Sequence, residues 1–327
     1  MTSSLHADSI VIDGLVISRW DRALFEEMRA GGVTAANCTC CIWENFRDTM
    51  LNIAAWHRRF DDFSDVIMPV KTTADIQAAK KAGKVGIILG FQNTSAIEDR
   101  LDTLTLFKKL GVGIIQLTYN TQNLIGSGVW EENDGGLSGF GREAVSEMNR
   151  VGIAVDLSHV GKQTADNAIK YSKLPCTYSH VCPAGLFAHP RNKTDEQLRT
   201  IVERGGFVGI TPHTPFMVNG VNSTLDDCID LFEYTMKVCG EDNVGIGSDF
   251  TQNQDEAFFN WVRKDKGYAR QMVVRHGVTP PIKEFSKLSD YERLTTTMVR
   301  RGWSESRIRG VLGENWLGYL AKVIDRS

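Results

Sequence analysis

The sequence lacks the features that mark several large classes of protein. Its net charge is −3 over 327 residues and it has no basic patch, so we expect neither nucleic acid nor a membrane surface as a partner. No apolar run is long enough to span a bilayer. The first residues lack the basic region and long apolar stretch of a secretory signal. We therefore expect a cytoplasmic protein.

Regular cysteine pairing is missing as well. Seven cysteines is an odd number, and Cys38, Cys40 and Cys41 crowd into one strand-like stretch, so reduced thiols are the simplest expectation. There is no low-complexity tract and no linker, which predicts a single domain over residues 1–327. Hydrophobic residues make up 42% and charged residues 24% of the chain, a composition typical of a globular protein with a sizeable core.

The chain does contain eight apolar, strand-like runs that alternate with helical stretches. The runs cover residues 9–17, 33–40, 85–93, 113–120, 152–159, 175–180, 206–211 and 244–250. Helices are predicted over residues 21–29, 43–60, 98–110, 141–150, 161–173, 194–203 and 225–239. This alternation predicts an α/β fold, a (β/α)₈ TIM barrel. Residues 251–327 read as a polar loop and several helices that close the barrel, a C-terminal helical extension.

Two neighbouring strands of the predicted barrel each end on Ser-His. Because a βαβ unit crosses over right-handedly, His159 and His180 should leave adjacent strands at the same edge. Two imidazoles at the carboxyl ends of parallel strands are placed to hold a metal ion. A single histidine at a strand end is more often a hydrogen-bonded structural residue, and this alternative stays open here.

Other strand ends add a ring of polar residues at the same edge. They are Asp13, Cys38 to Cys41, Gln92, Asn93, Tyr119, Asn120, Thr211, His213 and Asp249. The carboxylate of Asp249 can bind a metal or act as a general base, or else serve as a helix cap or loop salt bridge. For His189 and His213 a structural role is favoured. Aromatic residues near the strand ends, Tyr119 and Trp130 among them, indicate core and lid packing or a pocket for an apolar or cationic group.

Several motifs together resemble one known family. DLSHV, YSHV, GGLSGFGREAVSEMNRVG, HPRNKTDEQLR and GIGSDF are similar in order and spacing to the membrane (renal-type) dipeptidase family, peptidase family M19 of the amidohydrolase superfamily. The resemblance implies a (β/α)₈ barrel with two zinc ions that cleaves dipeptides with a free carboxylate. It implies that His159 and His180 hold the second metal, that Asp249 is the active-site carboxylate and that Arg191 receives the substrate carboxylate.

The sequence departs from the family pattern on one side of the site. Where the family has two ligands of the first metal in Asp-Gly-His-x-Asp, this chain has Leu15 and Ile17. Gln92 replaces a bridging Glu, and Tyr119 replaces a His that polarises the scissile carbonyl. We therefore predict about one divalent ion per chain, most readily zinc, and weak hydrolysis of ordinary dipeptides. An empty site is the alternative.

The predicted metal ligands are His159 and His180, with the Gln92 oxygen or Asp249 as the third. The predicted function is hydrolysis of a C–N bond in a small amino-acid derivative or dipeptide that carries a carboxylate, in which Asp249 transfers a proton and Tyr119 donates to the oxyanion. The predicted substrate-binding residues are Arg191, Asn120, Asn93 and Trp130. Arg191 would bind the carboxylate with its planar fork, unless it lies on the loop surface or pairs with Asp195 to cap the next helix.

Two other classes of function remain open. One is a metal-poor protein that binds a small metabolite on a dipeptidase scaffold. The other is a metal-dependent lyase or redox enzyme acting on N-methylated amino acids, because the sequence looks closest to the dipeptidase-like proteins that accompany betaine and dimethylglycine breakdown in bacteria. Metal content separates the enzyme from the binding protein. A homo-oligomer is compatible with the sequence.

Overall fold

The computed structural model describes residues 2–272 and 280–326, and within them the strands form one parallel sheet that closes into a barrel. The strands are β1 Ile12–Val16, β2 Ala35–Cys41, β3 Ile67–Pro69, β4 Val85–Phe91, β5 Val112–Gln116, β6 Ala154–Asp156, β7 Thr177–Val181, β8 Phe207–Ile210 and β9 Val244–Ile246. Eight of them run β2-β1-β9-β8-β7-β6-β5-β4 around the barrel, which closes where β2 pairs with β4. The predicted (β/α)₈ TIM barrel is confirmed.

The remaining strand, β3, was not predicted. It pairs with the first half of β4, where Ile67 lies opposite Val85, whereas β5 pairs with the second half, where Leu89 lies opposite Val112. β3 therefore sits outside the eight-stranded ring. β3 is as short as β6 and β9, but its run ends on Pro69, and a proline in a short apolar run weakens the strand signal.

Helices flank the barrel strands. They are α1 Thr2–Asp8, α2 Arg22–Ala30, α3 Phe46–Asp62, α4 Thr73–Ala82, α5 Asp102–Lys109, α6 Gly139–Val151, α7 Lys162–Tyr171, α8 Asp195–Glu203, α9 Leu225–Cys239, α10 Glu256–Val262, α11 Tyr291–Arg300, α12 Glu305–Arg309 and α13 Asn315–Ala321. The sequence did not predict α1 and α4. The helix predicted over 98–110 begins only at Asp102, because Glu98 has a φ of +50°, which a right-handed helix cannot include.

Helix α13 closes the amino end of the barrel. Trp316 lies beneath the first residues of the strands, and its indole N–H donates to the Ile246 carbonyl at 2.7 Å. A Cβ atom on Gly14 would lie 2.4 Å from the Trp316 ring, so β1 needs a glycine at this contact. The prediction that C-terminal helices close the barrel is confirmed, although residues 273–279 and Ser327 of the predicted extension lie outside the described residues. A functional site can therefore form at the carboxyl end of the barrel.

All seven cysteines are unpaired and buried, as expected from their number. Burial raises the pKa of the Cys41 thiol to about 12, so this thiol stays protonated and unreactive at neutral pH. Nowhere in the described part of the chain is there a helix of the length and apolarity needed to cross a membrane.

Candidate active site

A cavity of about 450 Å³ opens at the carboxyl ends of the barrel strands. Its volume falls within the range of small-molecule sites. Seven of the predicted site residues line it, namely Gln92, Tyr119, Asn120, Trp130, His159, Arg191 and Asp249. His180 lies fully buried behind His159, and Asn93 does not reach the cavity. The structure thus brings most of the predicted residues together around one space.

His159 and His180 form a close pair at the ends of β6 and β7. Their Nε2 atoms are 2.9 Å apart. Burial lowers the pKa of both imidazoles well below the usual value, and the charge of Arg191 lowers it further. Both rings are therefore neutral at neutral pH and carry one N–H each.

The hydrogen bonds of the pair fix where each N–H lies. Nδ1 of His159 donates to the Asn120 side-chain oxygen at 2.7 Å. Nδ1 of His180 is 2.7 Å from Ser179 Oγ, and this hydroxyl donates its own hydrogen to Asp156 at 2.5 Å, so it accepts from His180. Both Nε2 lone pairs consequently face each other. A cation bound between two such nitrogens stabilises this arrangement, and acceptors on Nδ1 are the usual support of metal-binding histidines.

Asp156 holds the two strand ends in register. Its carboxylate accepts from the backbone N–H and hydroxyl of Ser158, at 3.1 and 2.7 Å, and from the same two groups of Ser179, at 2.9 and 2.5 Å. Burial raises the pKa of Asp156, and these four hydrogen bonds oppose the rise. The sequence reasoning missed this residue, although an acidic side chain inside an apolar strand was a visible signal of a buried polar network.

Asp156→Asn should lower the free energy of unfolding by about 1–3 kcal/mol, because an amide offers one acceptor oxygen to four donors that remain buried. Urea unfolding measures this change. Asp102→Asn is the control, since Asp102 is 68% exposed in its pair with Arg100 and such a pair contributes about 0–1 kcal/mol. Equal stability of the two variants would show that the Asp156 network is not needed for folding.

Asp249 follows β9 in a strained conformation. Its φ is +58°, a left-handed value that is uncommon outside glycine and concentrates at functional sites. Burial raises the pKa of its carboxyl to about 7, with the charge of Arg191 opposing the rise. The interpretation as a helix cap is not supported, because Asp255 caps α10. A carboxyl with a pKa near neutrality can both take and give a proton.

Arg191 is buried, with 2% of its surface exposed. Its Nη1 donates to the Ser158 carbonyl, and its guanidinium stands 5.3 Å from the centre of the Phe216 ring. Nη2 has no hydrogen-bond partner among the described residues. The alternatives of a surface residue or a partner of Asp195 are wrong, because Asp195 pairs with Arg199 instead. A buried guanidinium beside a cavity with a free N–H is suited to bind a carboxylate.

Tyr119 packs directly on the histidine pair. Its ring stacks on His159 with centroids 4.4 Å apart and meets the edge of Trp43 at 5.2 Å. Burial and the nearby charge of Asp249 raise the pKa of the phenol above its usual value. The hydroxyl therefore stays protonated and can act as a hydrogen-bond donor.

Gln92 and Asn93 point in different directions. The Gln92 amide nitrogen donates to Thr39 at 3.0 Å, which leaves its oxygen as the atom able to act as a ligand in the cavity. The Asn93 oxygen accepts from Thr94 N–H and from Asn123, both at 2.9 Å, and its side chain lines a separate groove. The position of Asn93 does not support its predicted role in substrate binding.

The described residues bring two imidazoles together but form no larger group of the usual metal ligands. No group of three or more His, Cys, Asp and Glu side chains within residues 2–272 and 280–326 could hold a metal. Asp249 does not form such a group with His159 and His180. Both alternatives for the third ligand, Gln92 and Asp249, stay predictions. Ile17 lines the cavity as an apolar residue.

Some residues of the cavity were not assigned to it from the sequence. They are Ile17, Ile42, His189, Pro215, Phe216, Thr251, Phe258, Phe259, Val262, Arg263 and Met272. His213, which the sequence placed in the ring at the strand ends with a structural role favoured, also lines the cavity. Burial, with the charge of Arg191, lowers the pKa of His213 to about 4, so this imidazole is neutral. Its place two residues after a predicted strand was the available signal. The residues after β9 carried no periodic pattern that points to a cavity.

Comparison with known proteins gives a consistent result. The model of the family described as membrane dipeptidase, peptidase family M19, matches residues 21–258. An uncharacterized dipeptidase of Schizosaccharomyces pombe is 33% identical over 211 residues, which cover 62% of this chain and 51% of that protein. Dipeptidase aclJ of Aspergillus oryzae is 29% identical over 86% of this chain and 62% of its own length. The chain thus spans between about half and two thirds of these curated relatives.

Solved structures are similar over the whole barrel. An amidohydrolase from Pseudomonas aeruginosa is 52% identical, with 99% of each chain covered and a TM-score of 0.97. A metallo peptidase from Rhodobacter sphaeroides, liganded with a phosphinate mimic of the dipeptide L-Ala-D-Ala, is 20% identical over 97% of this chain and 100% of that chain, with a TM-score of 0.80. The second likeness shows the fold alone.

Proposed function

Since the chain belongs to the membrane dipeptidase family, peptidase family M19, we propose that it is a metal-dependent hydrolase that cleaves the amide C–N bond of a small amino-acid derivative. The observation that carries the proposal is that three suitable side chains line one cavity. Asp249 brings a carboxyl with a pKa of about 7, His159 brings an imidazole with a free lone pair, and Arg191 brings an unpaired guanidinium N–H. These are a proton-transfer group, a metal ligand and an anchor for an anion.

The proposal includes one divalent ion, zinc, held by His159 and His180 with the Gln92 oxygen as third ligand. When bound, such an ion polarises the scissile carbonyl and lowers the pKa of water. The ligand pair is prepared by the protein, because Asn120 and Ser179 hold both rings in the tautomer that leaves Nε2 free.

The side chains around this site carry the proton and the charge of the reaction. Asp249 takes a proton from the attacking water and transfers it to the leaving nitrogen, which a pKa near neutrality permits in both directions. Tyr119 donates a hydrogen bond to the oxygen that becomes negative. Arg191 binds the carboxylate of the substrate, and Asn120 and Trp130 contact the rest of it.

Release of free amino acid tests the proposal. A panel of N-acyl amino acids and ordinary dipeptides is incubated with zinc-loaded protein, and new amino groups are detected with a fluorogenic reagent. We expect release from N-acyl amino acids and weak release from dipeptides. A panel in which no compound is cleaved above the rate without protein would contradict a hydrolase.

A second candidate is a small-metabolite binding protein on the same scaffold. It is favoured by the lack of a three-residue His, Cys, Asp and Glu group in the part of the chain that the structure describes, since catalytic zinc sites usually have three protein ligands. Elemental analysis of protein purified without chelator separates the two. About one equivalent of metal supports the enzyme, whereas no metal together with stabilisation by carboxylates supports the binding protein.

Arg191→Lys should weaken the binding of 4-oxopentanoate, an uncleavable analogue of N-acetylglycine, by about tenfold or more, because an ammonium cannot reproduce the planar fork that binds a carboxylate. Calorimetry measures the affinity, and elemental analysis should show the same metal content as in the unchanged protein. Arg199→Lys is the matched control, because Arg199 is 56% exposed on α8. Equal affinities for the two variants would remove Arg191 from carboxylate recognition.

A further inference from the structure

The part of the cavity wall that follows β1 and β2 is apolar, and the part that follows β6 and β7 is polar. Asp249, which follows β9, lies between them. In the ring β2-β1-β9-β8-β7-β6-β5-β4, β1 and β2 lie across the barrel from β6 and β7. Ile17 and Ile42 follow β1 and β2, while His159 and Arg191 follow β6 and β7, and all four line the cavity. A molecule bound across the mouth therefore has one end among polar groups and the other among apolar groups.

Helix α10 extends the apolar side. It follows β9, the neighbour of β1 in the ring, and Phe258, Phe259 and Val262 line the cavity together with Met272. None of these residues of α10 is buried in the core. Large apolar side chains that line a cavity instead of entering the core are a feature of ligand-binding surfaces.

The charges around the cavity disfavour a cationic ligand on this side. Among the described residues that line it, the ionisable groups are Arg191, Arg263, Asp249, Tyr119 and three histidines. Arg263 lies over the Phe259 ring, 5.5 Å from its centre, so this aromatic face already has a cation. The Phe258 ring packs against the rings of Phe259 and Trp261. The group that fits between Ile17, Ile42 and α10 is therefore neutral and apolar.

We propose that the substrate is an N-acylated amino acid with a bulky apolar acyl group, aromatic or branched aliphatic, which binds between Ile17, Ile42 and α10. Its carboxylate lies at Arg191 on the opposite side. This inference rests on the proposed hydrolase function. Water adds across the amide C–N bond, the acyl carbon gains the oxygen as a carboxylate, and the nitrogen takes the proton and leaves with the amino acid. Ile17 thus stands where the family pattern has a charged metal ligand, and its apolar side chain forms part of the surface that selects the acyl group.

Binding of two uncleavable ketones tests the apolar side. In 4-oxo-4-phenylbutanoate and 4-oxopentanoate a CH₂ group stands where N-benzoylglycine and N-acetylglycine have their nitrogen. We expect the phenyl compound to bind the full chain at least about tenfold more tightly by calorimetry, because the cavity removes its ring from water. The double variant Phe258→Ala, Val262→Ala should reduce this advantage to about threefold or less and leave 4-oxopentanoate unchanged. Val218→Ala, at a residue 61% exposed, is the control.

The two proposals can fail separately. Equal affinity for the two ketones, or equal loss of both in the double variant, overturns the acyl-group inference even if glycine is released from N-acetylglycine. Tight binding of the phenyl compound without glycine release from N-benzoylglycine supports the apolar site and counts against the hydrolase. A double variant that has lost its thermal unfolding transition is replaced by Val262→Ala alone, for which a smaller loss in the same direction is expected and no loss overturns the inference.

Discussion

Asp249→Asn is expected to reduce kcat for N-acyl amino acid hydrolysis by at least about a hundredfold, the contribution typical of a general acid–base group. The amide has nearly the same size and shape, so the protein should fold and still bind 4-oxopentanoate. Initial rates of amino-acid release measure the loss. Asp102→Asn, at an exposed side chain on α5, should retain full activity. A variant at Asp249 with more than about a tenth of the original kcat would exclude this carboxylate as the proton-transfer group.

The same carboxyl predicts the pH dependence. Because burial raises the pKa of Asp249 to about 7, the group is protonated and unable to accept a proton at pH 5, and kcat should rise with pH through about 7. The rise should be missing from the residual activity of Asp249→Asn.

The contribution of Asp249 to the stability of the fold should fall as the pH rises, which is opposite to the change in kcat. A carboxyl whose pKa is higher in the folded state binds its proton more tightly there, so its contribution to stability falls as the pH rises from about 4 to 7. Asp249→Asn removes this term. Relative to the original protein, the variant should therefore gain stability between pH 5 and pH 8 in urea unfolding, and a constant difference over that range would contradict the raised pKa.

The sequence predicted those parts of the fold that have a long and regular hydrophobic pattern. Long apolar runs separated by amphipathic stretches were sufficient to predict the barrel. β3 ends on Pro69, which weakens the strand signal. α5 starts late because Glu98 is left-handed, which periodicity does not show. Tertiary pairing and single backbone angles decided these details.

The candidate site was likewise predicted in part. The repeated Ser-His predicted that His159 and His180 meet, because strand order alone brings them to one edge. Their tautomers depend on Asn120, which is 39 positions from His159, and on Asp156, whose role appears only when two strands lie side by side. Gln92 was predicted as a metal ligand and Asn93 as a substrate-binding residue, yet adjacent residues at the end of a strand face opposite sides. Only Gln92 lines the cavity.

The apolar side was the least predictable part of the site. Phe258 and Val262 on α10 follow the last strand, where a sequence cannot show whether apolar side chains face a core or a cavity. Ile17 was recognised as a departure from a ligand position, but its consequence depends on what surrounds it. The structure places Ile17 with Ile42 in the wall of the cavity. The change that removes a charged ligand of the family pattern thus also adds apolar surface to the cavity.

His159→Asn and His180→Asn should each remove the metal and the activity, with a fall in metal affinity of more than about a hundredfold. The pair supplies two of the three proposed ligands, and the third, Gln92, is uncharged. Either change alone leaves fewer ligands than a catalytic zinc site uses, and changes around such ligands already cost about 10–100-fold. Competition with a chelator, followed by elemental analysis, measures the loss.

The matched control is His57→Asn on α3. Its exposed imidazole is 3.1 Å from the Leu110 carbonyl and meets the Phe60 ring with centroids 5.9 Å apart. It should keep its metal. Retention of full occupancy by both His159→Asn and His180→Asn would mean that the pair is a structural hydrogen bond and not a ligand set. His180 is the more buried of the two, with 0% exposure against 6% for His159. His180→Asn could therefore lose metal because the protein unfolds, which a lower melting temperature would reveal. If His159→Asn keeps the original melting temperature, its metal loss cannot be attributed to unfolding, and this variant then decides the question.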